Sequence, residues 1–126
     1  MEEPNLDIEK TKMCYKQLSS RDLCNCEYCQ NYIREIKTTY SKVSEYLFSL
    51  GVDIEKPLET IPLEPDEKGN IEYLSAQYIV WGKSKDFVKT TIESVTVDIA
   101  KSHPETQIGV EHFVIEIYPI ELKWVM

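Results

Sequence analysis

The stretch Ile71-Glu72-Tyr73-Leu74-Ser75-Ala76-Gln77-Tyr78-Ile79-Val80-Trp81 decides the fold. Alternation places Leu74, Ala76, Tyr78 and Val80 toward one side and Tyr73, Ile79 and Trp81 toward the other. Apolar or aromatic on both faces, it reads as a central strand. The turn signal Asp66-Glu67-Lys68-Gly69-Asn70 introduces it, and a shorter strand at 58–63, punctuated by Pro62 and Pro65, comes before. Downstream, residues 87–99 are dense in β-branched side chains, with Val95, Val97 and Ile99 alternating toward one face. After a turn at Ser102-His103-Pro104-Glu105, a last strand covers 109–125. Its apolar set is Phe113, Ile115 and Ile117 before Pro119, all odd, and Ile120, Leu122 and Trp124 after it, all even. A strand does not change face without an irregularity, and proline has no amide to give a ladder. Pro119 is therefore expected to mark a bulge or edge, with Ile117 and Ile120 both directed into the core.

The N-terminal half is helical by the same kind of reading. A short helix is expected over 10–18, and Ser19-Ser20-Arg21-Asp22 resembles the start of a second. That second helix would carry Cys26, Cys29, Ile33 and Ile36 as one stripe on one face. A third over 41–50 would bury Val43, Tyr46, Leu47 and Leu50. Gly51 stands where a helix ends in the left-handed conformation, and Lys56-Pro57 marks the exit. The expected architecture is a single α+β domain spanning 1–126, helical over 1–55 and β-rich over 56–126. Its N-terminal helices pack on an antiparallel sheet of about four or five strands.

A chain of 126 residues with 42% hydrophobic content can bury a core without help from a metal or disulfides. No apolar run reaches the length of a bilayer span, and Met1-Glu2-Glu3-Pro4 lacks a signal-peptide profile, so a cytoplasmic, non-membrane chain is expected. Lys and Arg number 14 against 22 Asp and Glu, a formal charge of −8. Nucleic acid is disfavoured, because polyanion binding rests on cationic clusters that are missing here. A basic protein partner suits the field instead.

All four cysteines fall between positions 14 and 29, three of them in Cys24-Asn25-Cys26-Glu27-Tyr28-Cys29. Three chemistries compete for them. Cys14, Cys24, Cys26 and Cys29 can surround a tetrahedral zinc ion, with His112 as an alternative fourth ligand, if the backbone is not yet helical at Cys24. Cys26 and Cys29 can instead be small core residues on the Ile33/Ile36 stripe. Or Cys26-x2-Cys29 can be a redox pair at a helix N-terminus, a reading opposed by Glu27 between the thiols.

The run Cys24-Asn25-Cys26-Glu27-Tyr28-Cys29-Gln30-Asn31-Tyr32, followed by Tyr46-Leu47, Leu50-Gly51-Val52-Asp53 and Lys56-Pro57, resembles a family of small uncharacterised bacterial proteins bearing C-x-C-x2-C-x-N-[Y/F]. The resemblance implies a shared fold and treats Cys24, Cys26, Cys29 and Asn31 as a unit. It supplies no activity.

Eight tyrosines point to a helix–sheet interface whose hydroxyls reach its rim, or to a binding surface. His103 is expected in a solvated turn. No acid–base constellation accompanies the cysteines, which leaves no catalytic residue to name. The expected function is thus a non-enzymatic interaction module, with a cysteine-ligated structural zinc as an option, that binds a basic protein. The alternative is a small thiol-redox or metal-dependent enzyme using Cys24, Cys26 and Cys29.

Overall fold

The computed structural model describes residues 6–18, 25–106 and 108–126. The helix-start signal at 19–22 and Cys24 lie outside them. Among the described residues three helices come first, α1 (Ile8–Gln17), α2 (Glu27–Thr39) and α3 (Ser41–Ser49). The strands follow: β1 (Glu59–Pro62), β2 (Asn70–Trp81), β3 (Thr90–Ile92), β4 (Val95–Ile99), β5 (His112–Tyr118) and β6 (Ile120–Lys123). All pair antiparallel in the order β1-β2-β5-β4-β3, and β6 pairs with the first part of β2. Among the described residues the sheet has six strands because two of the four expected ones are each divided, 109–125 at Pro119 and 87–99 at Glu93-Ser94. It is still only five strands wide, since β6 continues the line of β5 along β2.

The face change at Pro119 is matched on its neighbour. Ile117 pairs with Ala76 and Ile120 with Tyr73, and both isoleucines are fully buried, as their parity required. On its other side β2 pairs Ser75 with Ile61 but Tyr73 with Pro62, so Leu74 is an extra residue and a bulge. Tyr73 thereby joins Ala76, Tyr78 and Val80 under the helices, while Leu74 turns outward and is 51% exposed. The sequence assignment of Leu74 to the Ala76 face and Tyr73 to the opposite one is corrected here. Strict alternation fails wherever a bulge resets parity.

Residues 87–99 are a hairpin rather than one strand. Glu93 and Ser94 form its turn at φ of 54° and 65°, a conformation usually signalled by Gly or Asn. The Glu93 carboxylate then accepts from the amides of Lys42 and Val43 at 2.8 and 3.0 Å, satisfying the N-terminus of α3, which has no local side-chain cap. At the other end of α3, Gly51 adopts φ of 88° and bonds back to Phe48, as expected of a helix terminus. A side chain there would also put Cβ 2.5 Å from the Ile8 carbonyl oxygen, so Gly51 lets α1 cross close to the end of α3.

β1 covers β2 only as far as Gln77, whose carbonyl accepts from Leu58. Beyond it, α1 takes over the exposed edge with side-chain hydroxyls. The amide of Ile79 donates to the Tyr15 hydroxyl at 2.9 Å and that of Trp81 to the Thr11 hydroxyl at 3.0 Å, while Asp7 donates to the Trp81 carbonyl. A helix thus completes a ladder that no strand reaches, which also covers a sheet edge.

Candidate functional site

At the start of α2, Cys26 occupies the N-cap in extended conformation and its Sγ accepts from the Cys29 amide at 3.5 Å. Its side chain is exposed, so the stripe reading that buried it does not hold. Cys29 is half-buried with Sγ 3.6 Å from the Thr60 hydroxyl of β1. What α2 buries is Asn31, Tyr32 and Ile36. Cys14 lies on α1, half-buried against the core. Among the described residues, no three His, Cys, Asp or Glu side chains are gathered as a metal group. His112 pairs opposite Trp81 on the β5 side of β2, whereas Thr60, the neighbour of Cys29, pairs with Ala76 on the β1 side. Five residues of strand, roughly 16 Å, separate these two levels. Both ring nitrogens of His112 are engaged, Nδ1 with the Val110 carbonyl and Nε2 with the Thr106 hydroxyl. The structure therefore brings Cys26 and Cys29 to one helix end and leaves Cys14 and His112 elsewhere.

Asn31 and Tyr32, the end of the motif, are structural. Asn31 is fully buried and acts as one rung of a strand: its Nδ2 donates to the Lys123 carbonyl and its Oδ1 accepts from the Val125 amide, each at 2.8 Å. Tyr78 donates to the Ile54 carbonyl at 2.7 Å, so the hydroxyl of Tyr32 that meets Tyr78 must be the donor of that pair. Tyr73 donates to the Tyr28 carbonyl and sets its ring edge-on to Tyr32. Burial pushes the phenols of Tyr15, Tyr32 and Tyr78 above their ordinary range and that of Tyr73 up to about 12. These tyrosines form the helix–sheet interface expected of them, but the hydroxyls of Tyr32 and Tyr78 bond inside it rather than reaching its rim. His103, in its turn, is exposed.

The face of the sheet turned away from the helices carries the charge. Pairing places Glu72 directly opposite Glu121 and Asp98 directly opposite Glu116. Glu59 stands on the same face, opposite Gln77, and Lys123 is the nearby cation. Like charges directly opposite one another destabilise a sheet. Beside them sit large apolar side chains in solvent: Leu74 at the bulge, Ile61 (39% exposed) across from Ser75, and Leu63 (43% exposed) just beyond β1. Sequence reasoning missed this surface. Alternation could have put Glu72, Glu116 and Glu121 on an outer face, but only strand register makes them neighbours and only the bulge exposes Leu74.

No helix among the described residues is long and apolar enough to cross a membrane. No protein-family model matches the chain, and no curated protein or solved structure is significantly similar to it.

Proposed function

We propose that this chain is a non-enzymatic interaction module that binds a basic protein through the outer face of its sheet. The observation that carries the reading is the Glu72–Glu121 pair, two exposed glutamates that strand register sets directly opposite each other, next to the exposed Leu74 and Ile61. A sheet surface that sets like charges together costs stability in the lone protein, and a cationic partner removes that cost. The apolar side chains supply contact area that a purely electrostatic encounter lacks. The net charge of −8 steers association with a partner of the opposite, positive charge.

The test is capture. Immobilised protein is exposed to a lysate of its source cells and eluted with rising salt, in parallel with the Glu72→Lys/Glu121→Lys variant. The proposal expects one or more basic proteins retained by the native chain and lost by the variant. Retention indifferent to the charge reversal, or retention of no basic protein, contradicts it.

A further inference from the structure

On the helical side, away from the acidic face, α1, α3, Lys37 of α2 and the segment 51–56 border an open cavity of about 500 Å³. Its size lies in the range of small-molecule sites. Buried side chains of Tyr15, Val52 and Ile54 contribute apolar walls, and Phe48 stands at the opening with 68% of its surface in solvent. Phe48 lies off the stripe by which α3 meets the core, which is made by Val43 and Leu47. An exposed phenyl ring at the mouth of an apolar cavity is a surface awaiting contact.

The charge of this cavity reverses that of the protein. Lys12, Lys16, Lys37 and Lys56 line it against two carboxylates, Glu45 and Asp53. The Lys12 ammonium sits 5.9 Å from the centre of the Phe48 ring, a cation–π distance. Lys56 is the anchored member. Its half-buried ammonium donates to the carbonyls of Tyr15 at 2.8 Å and Leu18 at 3.0 Å, which also places a cation at the C-terminal end of α1. An ammonium has three donors, so one remains on a group whose position is already fixed. Such a donor binds an anion without first paying the entropy of ordering a lysine.

We propose that this cavity binds a small organic anion with an apolar body and a single carboxylate. The apolar walls and Phe48 take the body, and Lys56 holds the charge with Lys16 and Lys37 raising the local positive potential. Glu45 and Asp53 work against polyanions such as nucleoside polyphosphates. Among the described residues no arginine lines the cavity to offer the planar fork that favours phosphate.

Octanoate is the probe, followed by amide shifts of the full chain in solution. Shifts should concentrate in 12–16 and 44–56, and neutral octanol should need about tenfold more ligand for the same response. Lys56→Met removes the anchor but also loosens α1, so the decisive variants are at exposed positions. Lys16→Glu/Lys37→Glu should weaken octanoate about tenfold and leave octanol unchanged. Phe48→Ser should weaken both. Equal affinity for octanol and octanoate, equal response to inorganic phosphate, shifts confined to the sheet face, or no shift at all would each overturn the assignment.

Discussion

The phenol of Tyr15 accepts the amide hydrogen of Ile79 at 2.9 Å and donates to the carbonyl of that same residue at 2.8 Å. One side chain on a helix therefore does what an adjacent strand residue would do, satisfying both backbone groups of a sheet edge. Its ring also walls the cavity beneath α1.

Tyr15→Phe keeps the ring and removes both bonds, leaving a part-buried amide and carbonyl without partners. The expected loss is about 2 kcal/mol in urea unfolding. A loss under about 0.5 kcal/mol would mean that water replaces the hydroxyl and that the ladder is not completed by α1.

Asn31→Ala removes both bonds from a fully buried amide to the segment 123–125. Stability should fall by about 2–3 kcal/mol. The Val125 amide should lose most of its protection from hydrogen exchange, whereas amides in the β3–β4 hairpin should change only as global stability does. Unchanged protection at Val125 would show that the C-terminal end is held by something else.

Much of this fold was legible because its signals are local. Helical spacing gave α3 with Val43, Leu47 and Leu50 buried, though Tyr46 is only half-buried; Gly51 gave the end of that helix, and the parity switch at Pro119 gave the break in the last strand with Ile117 and Ile120 inside. What escaped depends on residues far apart in the chain. Leu74 became a bulge because β1 pairs one residue short on the other side of β2. Glu93 and Ser94 turn a hairpin without glycine, and the same Glu93 caps a helix fifty positions earlier. The helical stripe placed Cys26 in the core, but it is an exposed cap, and Asn31-Tyr32 carries the packing of α2. Cross-strand juxtaposition of Glu72 with Glu121 follows from register alone.

Alkaline pH should unfold the protein through its tyrosines. Burial holds the Tyr73 phenol at about 12, and those of Tyr15, Tyr32 and Tyr78 are also raised, against an ordinary value of 10.0. The unfolded chain therefore binds fewer protons than the folded one above pH 10, and stability falls as pH rises. Below that value this contribution is constant. Tyrosinate absorbance should show these phenols ionising together with loss of structure, and ionisation of all eight tyrosines near pH 10 in a folded chain would contradict their burial.

Glu72→Gln should make the isolated protein more stable. It removes one member of the cross-strand carboxylate pair while keeping size and shape, with an expected gain of a few tenths of a kcal/mol at low salt that shrinks as salt is raised. Thermal unfolding at two salt concentrations reads this directly. Lower stability in the variant would show that Glu72 has a stabilising partner and that the face carries no electrostatic strain.

The claim that the outer sheet face engages a basic protein is tested most directly by the salt dependence of affinity for the captured partner, measured by calorimetry for the native chain and for Glu72→Lys/Glu121→Lys. The account predicts that native affinity drops about tenfold or more as ionic strength rises from about 0.05 to about 0.5 M, and that the variant binds weakly with little salt dependence. A native affinity that stays flat across that range, or a variant with the native salt profile, would contradict it.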